Sequence, residues 1–356
     1  LNGADLRSDV AREMLRVVRE SGRAAPTLEA ALRTAGKITS RKSLSKQQRD
    51  ALLELSRTAV TAKQGEAVFR NPRLGCLKCH AIGGAGGKVG PDMVSLGGSA
   101  QPDYLLESLL DPNAKVKENY HTIVIATDEG KLISGVQIRQ SKSEVVVRNA
   151  EDRVITVPRS EIEEIAQGVS LMPEGQVDTL TDEEVAAMVR FLSELGRTPE
   201  YSIGRRQLAR TWDVLQPTTE AAFRLRRTSY ATAAADDPAF TWQKSISTVA
   251  GNLPLSDIPQ VMVKNRSAAG SRGVGFARCY IEAETAGEIV LSINGFEGLE
   301  LRHGQNPVDL VSTIKLSVQP GKQRLTFTVD QSIRTKPLEV EILTKGTTAV
   351  AKFVND

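Results

Sequence analysis

Residues 70–93 read RNPRLGCLKCHAIGGAGGKVGPDM, and the pentapeptide Cys76-Leu77-Lys78-Cys79-His80 within them decides how the rest of the chain is read. Two thiols at CxxC spacing followed at once by an imidazole are the attachment pattern of c-type haem: the cysteines form thioethers to the vinyl groups and the histidine ligates the iron. Two other chemistries use CxxC. A structural zinc site needs a second pair of thiolates or imidazoles, yet the chain holds only three cysteines and three histidines, and Cys279, His121 and His303 stand in no paired spacing. A thioredoxin-like pair sits between a strand and a helix, whereas Arg70-Asn71-Pro72 and Ile82-Gly83-Gly84 on either side read as loop. A redox cofactor held by Cys76, Cys79 and His80 is the expectation.

Working outward, residues 1–63 read as a helical segment. Leu6, Val10, Met14, Val17 and Val18 recur at helical spacing, and Ser45-Lys46-Gln47-Gln48 is a capping box before Leu52, Leu53 and Leu55. Such helices are expected to pack and to carry no chemistry. A second unit, 64–196, opens with Gly65 and Phe69 four apart on a helix that ends before the motif, the glycine allowing another helix to approach closely. The expected partner is Thr181–Leu195, which starts with the capping box Thr181-Asp182-Glu183-Glu184 and sets Val185, Met188, Val189 and Leu192 on one face. Between these halves, over about 118–168, the apolar period changes from 3.6 to 2. His121–Ala126, Leu132–Ile138, Glu144–Val147 and Val154–Val157 read as short antiparallel strands with turns at Asp128-Glu129-Gly130 and Asn149-Ala150-Glu151-Asp152. A small barrel or curled sheet is expected there.

Residues 197 to about 230 carry Arg197, Arg205, Arg206, Arg210, Arg224, Arg226 and Arg227 against Glu200, Asp213 and Glu220, and the stretch 197–237 is read as a solvated linker rather than a docking surface for an acidic partner. Residues 238–356 alternate over 275–284, 288–293, 299–301, 314–318, 324–329 and 338–343, with turns at Asn294-Gly295 and Pro320-Gly321. A β-sandwich or jelly roll is expected. The fold class is thus multidomain α+β.

Length and charge exclude several function classes. At 356 residues the chain accommodates two or three globular domains. Its 46 basic and 43 acidic side chains nearly balance, so bulk charge points to neither nucleic acid nor membrane. Aromatic residues make up only 4%, too few for a base-stacking surface. No apolar run approaches a membrane span. The chain opens at Leu1 without a start methionine or signal peptide, which reads as a processed or excised form of a longer precursor. Since c-type haem is attached outside the cytoplasm, a periplasmic or otherwise extracytoplasmic location is expected.

Residues 64–196 resemble the c-type haem-binding domain family of planctomycete and verrucomicrobial proteins, a class I cytochrome c-like fold with a β insertion. The resemblance rests on CLKCH at 76–80, GPDM at 90–93, LLESLLDPNAKV at 105–116, Tyr120, TDEGKLISG at 127–135, ITVPRSEIEEI at 155–165, and SLMPEG followed by LTDEEVAAMVRFL. It implies Cys76 and Cys79 as haem anchors, His80 as proximal ligand, Pro91 packed on the proximal side, and Met172 as distal ligand. Met93 departs from the family, which more usually has leucine there. The segment GFARCYIEAETAGEIVLSINGFEGLEL at 275–301 with PGKQRLTFTV at 320–329 is similar in outline to ligand-binding sandwiches of secreted proteins.

The sixth iron position separates electron transfer from ligand chemistry. Met172 lies in a loop shortly before the terminal helix, the place of the distal methionine in class I cytochromes. His121, beside Tyr120, is the rival and would give bis-histidine iron of lower potential. Met93 is expected to pack against the cofactor and Met188 to be core. A thioether at the sixth position raises the potential and leaves no open site, so the chain reads as a carrier of single electrons and not an enzyme. Arg70, Arg73, Lys78 and Lys88 around the motif suit either the steering of an acidic redox partner or simple solubility.

The run Gly83–Lys88 is no phosphate loop, because Ile82 and Val89 occupy positions that need glycine and Ser/Thr; it is expected to be flexible backbone near the cofactor. Glu163-Glu164 and Glu183-Glu184 read as solvated or helix-start charges. The leading expectation is a monohaem cytochrome whose partner is an extracytoplasmic dehydrogenase or electron acceptor, with the β-sandwich docking to a protein, a polysaccharide or the cell envelope. Two other readings stay open: a haem enzyme or gas sensor with a displaceable sixth ligand, and a carbohydrate-binding protein with an accessory haem domain.

Overall fold

The computed structural model describes residues 6–20, 25–264 and 271–355. The chain divides into two compact units, Leu1–Ser202 and Ile203–Asp356. It is a mixed α+β protein with several antiparallel sheets. Among the described residues no helix is long and apolar enough to cross a membrane.

The first unit contains helices α1 (Ser8–Glu20), α2 (Pro26–Ala35), α3 (Lys46–Thr58), α4 (Ala62–Phe69), α5 (Cys76–Cys79), α6 (Leu96–Ser99), α7 (Pro102–Leu110) and α8 (Asp182–Glu194). Its strands are β1 (Ala81–Ile82), β2 (Ala85–Gly86), β3 (Thr122–Thr127), β4 (Leu132–Gln140), β5 (Glu144–Arg148), β6 (Val154–Pro158) and β7 (Ile162–Gln167). Helix starts follow local chemistry. Ser45 with Gln48, Thr61 with Gln64, and Thr181 with Glu184 each form reciprocal capping boxes that satisfy otherwise orphaned N–H groups.

Gly65 is where α4 and α8 meet: a Cβ there would lie 1.9 Å from the Ala187 carbonyl oxygen, so the backbones approach as only glycine permits. Phe69 and Phe191 seal the crossing with ring centroids 5.7 Å apart, and Tyr201 meets Phe191 edge-on at 5.5 Å. The α1 face differs from the sequence expectation. Ala11 and Leu15 are buried, with Leu6 and Val18 packed beside them, while Val10, Met14 and Val17 are exposed. The reason is size: a Cβ at Gly36 would come within 2.2 Å of the Ala11 methyl, so the helix turns its smallest residue toward that glycine.

The insertion is one antiparallel sheet in the order β6-β5-β4-β3-β7, open at both edges and not a closed barrel. Ile125, Val145, Val147 and Val157 form its core, and the register breaks at Ala126/Thr127 and at Gln137/Arg139 mark bulges that bend the ladder.

The second unit opens with β8 (Gln207–Leu208), β9 (Thr211–Leu215), α9 (Thr219–Arg227) and β10 (Trp242–Ile246). It continues through β11 (Gln260–Lys264), β12 (Ser271–Ala283), β13 (Gly287–Ile293), β14 (Leu299–His303), β15 (Asn306–Val308), β16 (Ile314–Val318), β17 (Gly321–Val329), β18 (Val340–Leu343) and β19 (Ala351–Phe353). Among the described residues these form an eight-stranded sheet around β12 and a four-stranded sheet, β16-β13-β18-β8. Both contribute to one core, with Ala277, Cys279, Leu325 and Phe327 from one and Ile289, Leu316, Val340 and Ile342 from the other. The opposite face of β12 is covered by α9 and its neighbours through Phe276, Ala221 and Leu225.

Residues 203–237, read from the sequence as linker, therefore belong to this unit. Two of their arginines form ion pairs: Arg206 with Glu339 at 2.5 Å and Glu341 at 2.6 Å, and Arg224 with Asp237 at 2.6 Å. Trp212 is 1% exposed and donates from Nε1 to Ser247 Oγ at 2.9 Å.

Candidate functional site

Helix α5 is a single turn, which places the thiols of Cys76 and Cys79, three residues apart, on one side. Gly75 starts it in the left-handed region at φ 69°, and His80 leaves it in extended conformation. The following loop clasps the turn: Gly87 N–H donates to the Leu77 carbonyl at 2.9 Å and Gly90 N–H to the Cys79 carbonyl at 2.7 Å. Glycine is required at both places, since a Cβ on Gly87 would lie 1.9 Å from the Lys78 oxygen and one on Gly90 would lie 2.4 Å from the His80 ring.

The run after the motif, expected from its glycines to be irregular backbone near the cofactor, takes up a hydrogen-bonded turn. β1 and β2 form a hairpin turning at Gly83 and Gly84, at φ 62° and 79°. Asp92 pins that turn by accepting from the Gly83 N–H at 2.9 Å and the Gly84 N–H at 2.7 Å. The insertion supports the same loop. Asp152, in the β5–β6 turn and paired with Arg148, accepts the Lys88 N–H at 2.9 Å.

Cys76, Cys79, His80, Pro91 and Met172 all line one cavity of about 230 Å³. Its apolar walls include Phe69, Leu105, Leu109, Val177, Met188 and Leu192, so α4, α7 and α8 enclose it. Met93 also lines the cavity, while Met188, read as plain core, is both 1% exposed and part of the wall. His121 is exposed and does not line it. Cys279 is buried in β12, and His303 meets Gln323 at 2.6 Å; both lie in the second unit. Among the described residues no three His, Cys, Asp or Glu side chains converge in the manner of a structural zinc site.

Electrostatics suits a neutral, dehydrated site. Burial pushes the Cys76 thiol up to about 12 and raises that of Cys79, on which Asp152 also acts. Burial lowers the His80 pKa, partly opposed by the hydrogen bond to Pro91. His80 Nδ1 lies 3.0 Å from the Pro91 carbonyl oxygen, which can only accept, so the proton sits on Nδ1 and the Nε2 lone pair is left available. Pro91 thus contributes its carbonyl as well as its ring.

Three cavity residues carried no signal in the sequence. Tyr104 and Ser108 project from α7, and the Gln176 side chain donates to the Leu74 carbonyl, joining the Met172 segment to the turn that precedes Cys76. The Gln176 contact spans about a hundred residues of chain. No family model matches this chain, and no curated protein does.

Proposed function

We propose that this protein is a monohaem c-type cytochrome that passes single electrons to or from an extracytoplasmic dehydrogenase or respiratory partner. The observation that carries the reading is the convergence of Cys76, Cys79, His80 and Met172 on one apolar cavity although Met172 lies about ninety residues beyond the motif. The residues present fit haem c. Two protonated thiols on one face of α5 can each add S–H across a vinyl group, and a neutral imidazole oriented by Pro91 offers Nε2 to a metal.

Bound haem supplies a one-electron couple; the chain's own residues set its surroundings. Met172 would offer its neutral thioether to the iron as a second ligand, which would favour the ferrous state, and the apolar walls from α4, α7 and α8 would limit the access of water. A haem held by both His80 and Met172 would leave no open position for substrate, the arrangement of a carrier of electrons. We read the second unit as a β-sandwich that docks the protein to a partner, a polysaccharide or an envelope component; its support is the core shared by two antiparallel sheets.

The test is ligand replacement. Met172→Ala is expected to abolish the sulfur-to-iron charge-transfer band, lower the potential on the order of 0.1 V within the range axial ligands command, and open the ferrous protein to carbon monoxide. His121→Ala is expected to change none of these. The reverse pattern, or prompt carbon monoxide binding by the parent protein, would favour a haem enzyme or gas sensor instead.

A further inference from the structure

The helices before the motif were expected only to pack, yet a buried guanidinium ties them to the segment bearing Met172. Arg41 is 7% exposed and stands where the chain leaves α2 for α3. Its Nη1 donates to Asp182 Oδ1 at 2.7 Å, its Nη2 to the Leu180 carbonyl at 2.6 Å and its Nε to the Val177 carbonyl at 3.1 Å. The Arg41 backbone N–H donates to Asp178 Oδ1 at 2.9 Å, and Arg33 Nη1 donates to the other oxygen of that carboxylate at 2.8 Å. Nearer Met172, Glu174 accepts from Lys42 Nζ at 3.1 Å and from Asn113 Nδ2 at 2.7 Å, while Asn113 Oδ1 accepts the Ser170 N–H at 2.8 Å. The loop is thus held on both sides of the methionine by groups outside it.

A thioether is a weak, uncharged donor, so its occupancy of an axial position depends on the effective concentration its loop provides. A rigid fork satisfying three acceptors at once restricts that loop more than a single point charge can. We propose that Arg41 is a positioning residue for Met172: through Asp178, Asp182 and two carbonyls, the N-terminal helical segment holds the 170–180 loop against the cavity and so determines whether the sixth position stays filled. The inference rests on Met172 being the distal ligand.

Hydrogen exchange over 170–180 in the cofactor-free and haem-loaded full-length protein, together with the rate of carbon monoxide binding to the ferrous form, separates the two claims. Arg41→Lys keeps the charge but cannot reach all three acceptors, and is expected to speed both exchange in the loop and carbon monoxide binding about tenfold, as local opening becomes easier. Lys42→Ala, which removes a side chain 45% exposed, is expected to shift both in the same direction by less. Val145→Ala, in the insertion's core, is expected to lower stability while leaving both unchanged. Unchanged loop exchange in Arg41→Lys, or equal acceleration in Val145→Ala, would overturn the positioning role. Prompt carbon monoxide binding by the parent protein would remove Met172 as ligand and this inference with it, whatever the loop exchange shows.

Discussion

The two units put their cysteines to opposite uses. In the second, Cys279 is 1% exposed within regular strand and belongs to a core of aliphatic neighbours, where it behaves as a small apolar side chain. In the first, Cys76 and Cys79 are only half-buried, stand on a one-turn helix started by a left-handed glycine, and face a cavity. Regular strands fill space with side chains, whereas in the first unit close glycine contacts and a carboxylate-pinned turn lie beside the cavity. A thiol's surroundings, more than its presence, mark it as chemical.

The largest expected effect breaks this contrast outright. Replacing both Cys76 and Cys79 with serine should eliminate haem that survives denaturation, read by haem staining on a denaturing gel, while Cys279→Ala should leave the stain intact. Thiol titration of the unfolded haem protein should then find Cys279 alone. Next, Phe327→Ala removes a ring fully buried in the second unit, with an expected loss of about 3–5 kcal/mol confined to that unit's unfolding transition and no change in the visible spectrum. Gly65→Val should act the other way round. The added side chain collides with the α8 backbone, and a cost of about 1–3 kcal/mol should fall on the first unit and weaken haem retention.

The smallest effect is a pH dependence in the cofactor-free protein. Burial holds the His80 pKa below its ordinary 6.5, so the unfolded chain takes up the proton first. Stability is therefore full above 6.5 and declines as the pH falls through that value toward the lower folded-state pKa. The cost is about 1.4 kcal/mol for each tenfold difference in proton affinity. Urea midpoints measured across that interval should slope in the parent protein and flatten in His80→Gln.

Local chemistry was legible in the sequence where it is set by neighbours along the chain. The CxxCH turn, the capping boxes at Ser45 and Thr181, the Gly65 crossing and the period-2 runs of the insertion all appear where their residues place them. What escaped depends on partners far apart. Arg206 and Arg224 look like solvated charge until Glu339, Glu341 and Asp237 are brought beside them. Arg41 looks like any surface cation until Val177, Leu180 and Asp182 surround it. The α1 face was misread because Ala11, the residue that fits Gly36, is the least conspicuous apolar residue in the helix.

The proposed haem site joins Cys76, Cys79, His80 and Met172. It is tested most directly by the visible absorption spectrum of the oxidised and reduced protein, produced where c-type haem is attached, before and after denaturation. The expected result is a low-spin spectrum with a sulfur-to-iron charge-transfer band in the oxidised form, and haem that stays with the chain when it unfolds. A protein without haem absorbance, or with haem that extracts freely, would contradict it.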